Sequence, residues 1–499
     1  MPEDQGRSRN PIASVHGFLK AVKPNKWQFF LNVFLTILIG ALLSITKFAQ
    51  GVMTGRDADG DGAADNGGEF VVDSALVSTS FLITFGLAKA VSNLFVGILA
   101  DRFGRKVVMV AGWVLGVPVP VMILAARSWT TVLWANVFLG LQQGICWTLT
   151  IVLMVDYAGP EHRGLAVGIN ETAGYSAVAV FNVVAAALIG ERDFRGKPFW
   201  VVLGLMCCGL VMSFFILRDS KNLVRAEEQA RRCDERSGDT SETGREIKEE
   251  ETERPRTGRG RIAWPSGRTS EHSVGSLAFV YASFLNRSLV LCCLAGSMIN
   301  FCTAFAWGIL TKWAADYGGK GWGPLPKTLV AQILLAYSLP KGVLQFATGF
   351  LSDRVGRRWP VSVGLLMCAC AFVYLAVVGV TGTSDAVVFG NFAGGAAILG
   401  VGTAVMYPNL IGAVAEHADP TWRASCVGTY RFWRDLGYAV GGFVLGAAAD
   451  RSSASVSAGV GAVLTFVVSL LFGVWYRDRV EGALDMQHLE LGIKEGGEC

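Results

Sequence analysis

GILADRFGRK (Gly97–Lys106) and GFLSDRVGRR (Gly349–Arg358) write one pattern of glycine, acid and base twice, each time directly after an apolar stretch. The match runs further upstream: Gly86–Lys106 set against Ser338–Arg358 gives 9 identities in 21 positions at an offset of 252. A second pair stands at an offset of 260, DYAGPEHRGLAVG (Asp156–Gly168) against EHADPTWRASCVG (Glu416–Gly428). There Pro160 meets Pro420, Arg163 meets Arg423 and Asp156 meets Glu416. Blocks recurring in the same order imply two parallel structural repeats.

The repeats lie in a chain suited to a bilayer. Of 499 residues, 52% are hydrophobic and 17% charged, with mean hydropathy +0.42; soluble chains carry about a quarter charged residues. Charge is also clustered. Val361–Phe389 holds only Asp385, whereas Arg218–Arg287 is crowded with Arg and Glu. Twelve apolar spans are predicted, near 27–50, 71–97, 106–126, 129–155, 163–190, 198–217, 288–314, 327–351, 359–381, 385–414, 423–449 and 455–476. Such lengths suit tilted helices crossing a hydrocarbon core about 30 Å thick.

The predicted organisation is an N-terminal segment 1–26, a six-helix bundle 27–217, a charged linker 218–286, a second bundle 287–476 and a tail 477–499. Loops 2–3 and 8–9 carry Arg102, Arg105 and Lys106, and Arg354, Arg357 and Arg358, whereas loops 1–2 and 3–4 carry Arg56 and Arg127 alone. By the positive-inside rule both termini and the linker face the cytoplasm. The plasma membrane is the expected host, with an organelle membrane as the alternative. The N-terminal segment has no apolar core of its own, so it does not read as a cleavable signal. The linker reads as a flexible tether, with a regulatory or docking role as the alternative; its end, Ser276–Ser288, reads as a short interfacial helix.

Other classes lose ground on residue placement. Most of the eleven cysteines sit in apolar runs, where Cys packs as a small apolar side chain, and no spacing gives a zinc site. The net charge of +4 flanks apolar spans and forms no aromatic-rich basic face, so nucleic acid is not an expected partner. No nucleophile–base set or phosphate loop points to an enzyme. DADGDGAAD (Asp57–Asp65) has the acidic rhythm of a calcium loop, but its twelfth position is Gly68, and a solvated acidic loop is the reading adopted.

The pattern Gly-x-x-x-Asp-Arg-x-Gly-Arg-Lys/Arg, repeated in a twelve-span frame, resembles the major facilitator superfamily of secondary transporters over essentially all the spans. That resemblance implies an all-α membrane fold of two pseudo-symmetric six-helix bundles around a cavity that opens alternately to each side. It implies that helix 2 faces helix 11 and helix 8 faces helix 5. It also implies a small-molecule substrate, a surrounding bilayer, a monomer and no cofactor, with protons or a counter-anion as candidate coupling species. Sequence departures narrow the subfamily: Gly140 stands where many drug–proton exporters carry arginine, and GINETAGYSA replaces their helix 5 motif.

Two sets of candidate residues follow. Asp101 and Asp353 end helices 2 and 8, where the macrodipole disfavours a carboxylate. Arg105 and Arg357, four residues on, can supply the cation, with Arg102 and Arg354 beside them. Asp156 and Glu416 can complete each gating network, and the motif glycines permit close approach of helix and loop. The second set is intramembrane, where ionisable residues are costly and functional by default: Lys89, Lys341, Asn170, Glu171, Arg431, Arg434 and Asp435. Lys89 and Lys341 lie twelve residues before Asp101 and Asp353, about 18 Å deep at 1.5 Å per residue. Two pairs are expected, Lys89 with Asp435 and Lys341 with Glu171. They could act purely as interdomain gates. Alternatively, four bases against two acids leave +2 in the cavity, which favours an anion. A proton-coupled exporter of drugs or other small molecules, and a transporter-like sensor, remain the competing readings.

Overall fold

The computed structural model describes residue 18 and residues 22–55, 68–158, 163–190, 193–220, 278–317, 325–382, 384–418 and 423–478. The acidic loop 57–65 and most of the linker lie outside them, as does the tail beyond residue 478.

Twelve long helices follow the predicted spans. They are α1 (Lys26–Val52), α2 (Ala75–Phe103), α3 (Arg105–Leu124), α4 (Trp129–Ala158), α5 (Arg163–Ile189) and α6 (Gly196–Phe215), then α7 (Arg287–Ala315), α8 (Lys327–Val355), α9 (Arg358–Val378), α10 (Asp385–His417), α11 (Arg423–Arg451) and α12 (Ala454–Trp475). Eleven are apolar enough to cross a membrane on composition alone, and α11 is not. Its charged centre, Arg431, Arg434 and Asp435, is the reason. That charge is tolerable because all three side chains are buried inside the protein, away from lipid.

Side-chain size decides which helices form the interior. In the first half α1 packs on α5 and α2 on α4; in the second α7 packs on α11 and α8 on α10. The pairs α2–α11 and α5–α8 join the halves, as the family resemblance implied. Glycines allow these approaches: a Cβ at Gly140 would lie 2.5 Å from the Phe85 carbonyl of α2. That contact also explains why no arginine can stand at position 140. Helices α3, α6, α9 and α12 present exposed Val114, Phe214, Val373 and Val467, an arrangement that only lipid makes favourable.

Two local breaks shape the helices. Pro118 and Pro120 interrupt α3 at Val117. In α7 a π turn at Phe305–Leu310 sets Thr311 Oγ1 to donate to the Ala306 carbonyl at 2.8 Å. A helical turn at Tyr281–Leu285 ends at Asn286, whose side chain caps α7 by accepting from Leu289 N.

Packing between the halves differs at the two ends. At the end opposite the repeated motif, Gly446 sits against Leu76 and Thr79, and Gly308 against Thr79 and Leu82. Asp450 of α11 accepts there from Ser74 Oγ at 2.5 Å, from Leu76 N at 3.1 Å and from Ala75 N, so it caps α2 across the halves. Nearby, in the loop between α1 and α2, the strands β1 (Thr54–Gly55) and β2 (Phe70–Val71) pair in parallel and hold Glu69 beside Arg195. Burial pushes the Glu69 carboxyl up, against the pull of the Arg195 guanidinium. At the motif end, among the described residues, a Cβ at Gly428 would approach only Asn93 O, at 4.0 Å, and one at Gly97 would meet nothing within 4 Å. Among the described residues the halves pack more closely at the end opposite the motif than at the motif end.

Candidate functional site

At the motif end the two halves repeat one construction. Arg105 Nε stands 3.4 Å from Asp156 Oδ2, and Arg357 Nε bonds Glu416 Oε1 at 2.9 Å. Both pairs lie within a half, joining α3 to α4 and α9 to α10. Asp101 and Asp353, the aspartates on which the expected gating networks turn, are not part of these two contacts. The side chains of Asp101, Asp353 and Arg354 lie outside the described residues. Arg102 is exposed, with its guanidinium over the Phe103 ring. Gly97, expected to permit close approach, faces open space instead.

Sequence reading missed a third member of this repeat. Gly104 and Gly356 turn the chain at φ of 93° and 82°, a region that favours glycine. Each turn presents the first amides of the next helix to an aspartate from the end of its half. Lys106 N donates to Asp219 Oδ2 at 3.2 Å, and Arg357 N and Arg358 N donate to Asp478 Oδ1 at 2.8 and 3.2 Å. The signal was present as Arg218–Asp219 and Arg477–Asp478, following α6 and α12. An anion at a helix N-terminus is stabilising. Asp478→Ala should cost about 1 kcal/mol in unfolding measurements; an undiminished midpoint would show that solvent replaces the cap.

The centre is organised by α11. Asp435 is fully buried and holds four donors. Arg434 donates to it from Nε at 3.1 Å and approaches with Nη2 at 3.0 Å. Asn93 Nδ2 of α2 donates at 2.6 Å and Asn300 Nδ2 of α7 at 2.7 Å. Thr148 Oγ1 donates to Asn93 Oδ1 at 2.9 Å, which turns the Asn93 amide nitrogen toward the carboxylate. Lys89 Nζ is 3.9 Å away. The expected Lys89–Asp435 pair thus exists, but as the weakest member of a larger cluster.

From Arg434 a chain of contacts crosses to the first half. Arg434 Nη1 donates to Tyr407 Oη at 2.5 Å, Tyr407 Oη donates to Glu171 Oε1 at 2.9 Å, and Trp147 Nε1 donates to the same oxygen at 3.2 Å. Glu171 Oε2 is buried without a hydrogen-bond partner among the described residues. The expected Lys341–Glu171 pair does not form. Lys341 Nζ donates instead to Thr303 Oγ1 at 2.8 Å and Tyr337 Oη at 3.2 Å, and lies 4.8 Å from the Tyr175 ring centroid. Neighbours on its own bundle outcompete the carboxylate, which Tyr407 and Trp147 already hold.

Asn170 is buried in the first bundle, away from these charges. It accepts from Thr36 Oγ1 at 2.7 Å and donates to Thr150 Oγ1 at 3.3 Å, tying α5 to α1 and α4. Arg431 is buried, with an Nε that has no hydrogen-bond partner among the described residues. A further base went unread in the sequence. Lys47 of α1 is 1% exposed, donates to Asn136 Oδ1 at 2.6 Å and packs on Phe81 and Phe85. A lone lysine inside an apolar run was the available sign.

This fold and centre define a class: two six-helix bundles enclosing a buried, charged midpoint between them, the construction of a membrane transporter. Comparison then gives the family. The Major Facilitator Superfamily profile matches residues 27–322 and 287–485, and the chain belongs to that superfamily. It is a multi-pass membrane transport protein for small solutes, not an enzyme. Among solved structures it is similar to a nucleoside transporter, with TM-score 0.63 and 12% identity, covering 91% of this chain and 100% of that one. A peptide transporter solved with sulfate gives TM-score 0.63 and 14% identity over 89% and 93% of the two chains. A POT family transporter in complex with a thioalcohol-conjugated peptide gives 0.61 and 13% over 88% and 94%. At these identities the likeness speaks for the fold. No curated protein matches the chain.

Proposed function

We propose that the chain moves a small organic or phosphorylated anion by alternating access, the two bundles rocking about the centre. The observation that carries this reading is unmatched buried positive charge. Lys47, Lys89, Lys341, Arg431 and Arg434 surround a centre whose acids are Asp435 and Glu171. Among the described residues Lys341 and Lys47 have no carboxylate partner at all, only neutral oxygens and rings. Desolvated cations without counter-charge favour an anion in a water-poor site.

The tight packing opposite the motif and the open space around Gly97 support a state accessible from the motif end. The arginine-rich loops there support placing that end, and both termini, in the cytoplasm of a plasma-membrane carrier. Coupling falls more naturally to Glu171 than to Asp435. Asp435 is saturated by donors in its ionised form, whereas Glu171 keeps one buried oxygen free to take a proton.

Binding and flux measurements test this. Lys341→Gln should weaken organic-anion binding at least about tenfold while leaving the unfolding midpoint in place, since no ion pair is lost. Glu171→Gln should retain anion exchange but lose uptake driven by a pH gradient. A wild type that prefers cations, or normal anion binding by Lys341→Gln, would sink the reading.

A further inference from the structure

Three bases at the centre share a second feature: they rest on aromatic faces. Lys89 Nζ lies 5.5 Å from the Trp147 ring centroid, Lys341 Nζ 4.8 Å from Tyr175 and the Arg434 guanidinium 5.1 Å from Tyr407. The three rings also contact one another. Trp147 and Tyr175 are 5.2 Å apart and Tyr175 and Tyr407 6.2 Å, tilted or edge-on in both cases. They come from α4 and α5 of one half and α10 of the other. Membrane aromatics concentrate in belts at the two interfaces. These lie at mid-depth instead, level with the bases.

We propose that the centre takes a planar aromatic organic anion, an aryl carboxylate in its simplest form; this rests on the organic-anion reading above. A cation held on a ring face has only a weak electrostatic attachment. A carboxylate offers charge-assisted hydrogen bonds, which are stronger, so an arriving acid draws Lys89 and Lys341 off their rings. The vacated faces of Trp147 and Tyr175 then require a flat apolar partner, and a planar ring meets that need by offset or edge-to-face stacking. Tyr407 closes on the same body from the other half, so the occupied site draws the bundles together. A sugar phosphate would set hydroxyls against these faces, and an inorganic anion would satisfy the bases but leave the rings bare. Glu171, bonded to Trp147 and Tyr407, fixes two of the three rings.

Calorimetry on the purified full-length protein in nanodiscs, with benzoate, cyclohexanecarboxylate and inorganic phosphate as probes, decides it. Benzoate should bind about tenfold tighter than cyclohexanecarboxylate, and phosphate more weakly than both. Tyr175→Phe, which keeps the ring, should hold that preference. Tyr175→Leu should abolish the preference, bringing the affinities for benzoate and cyclohexanecarboxylate together. Equal affinities in the wild type overturn the aromatic proposal yet leave an organic-anion carrier standing, as does a preference indifferent to Tyr175→Leu in a protein that folds. Failure of both acids to bind, or tighter binding of phosphate, overturns the organic-anion reading and this proposal with it.

Discussion

Asp435→Ala is expected to destabilise the protein by about 3–5 kcal/mol, because it strands Arg434 and Lys89 as buried charges without a counter-ion. Arg434→Ala should cost a similar amount, leaving the carboxylate to Asn93, Asn300 and a distant lysine. The informative quantity is the coupling between pairs. Arg434 and Asp435 share bonds at 3.0 and 3.1 Å, whereas Lys89 stands 3.9 Å off. The Arg434→Ala, Asp435→Ala double variant should therefore recover more than about 2 kcal/mol of the summed single losses, and the Lys89→Ala, Asp435→Ala double variant less than about 1 kcal/mol. Denaturant unfolding of the six proteins measures both. Equal couplings would mean that Lys89 is as much a structural counter-ion as Arg434, and it would lose its claim to a ligand.

How far this arrangement could be read from sequence depends on what each feature obeys. Span positions, the repeat and the α2–α11 and α5–α8 contacts follow from apolar length and family pattern, and the helices fall where expected. Lys89, Lys341, Arg431, Arg434, Glu171 and Asp435 were legible because charge inside a membrane span is costly. Their partners were not. The helix 5–8 contact implied by the family resemblance suggested Lys341 with Glu171, but pairing depends on rotamers and on neutral competitors: Thr303 and Tyr337 reach the lysine, while Trp147 and Tyr407 hold the acid. Polar neutral residues such as Asn93 and Asn300 carry no such sign in a sequence, since an asparagine within a helix is unremarkable until a carboxylate is found beside it. Asp219 and Asp478 lay just outside the apolar spans, where an acid reads as solvated.

The second large effect is expected at Gly86, where α2 crosses α11 between the centre and the closed end. A Cβ there would lie 2.7 Å from both Ala439 N and Tyr438 Cβ, and backbone cannot yield as a flexible side chain can. In Gly86→Val this overpacking costs about 1–3 kcal/mol. The cost falls only on the state in which α2 and α11 close at this level, because each bundle's own packing is untouched by the contact. The population of that state should then fall about 5–150-fold relative to the state open at that end, and flux through the cycle should fall with it. Gly459 is the matched control, since a Cβ there meets nothing within 4 Å; Gly459→Val should transport normally. A cysteine at Thr79, buried at the closed end against Gly308 and Gly446, reports the conformation directly. A membrane-impermeant maleimide should label Thr79→Cys slowly alone and rapidly when combined with Gly86→Val. Full transport with continued protection of position 79 would show that α2 and α11 do not separate during the cycle, and rocking about this crossing would have to be abandoned.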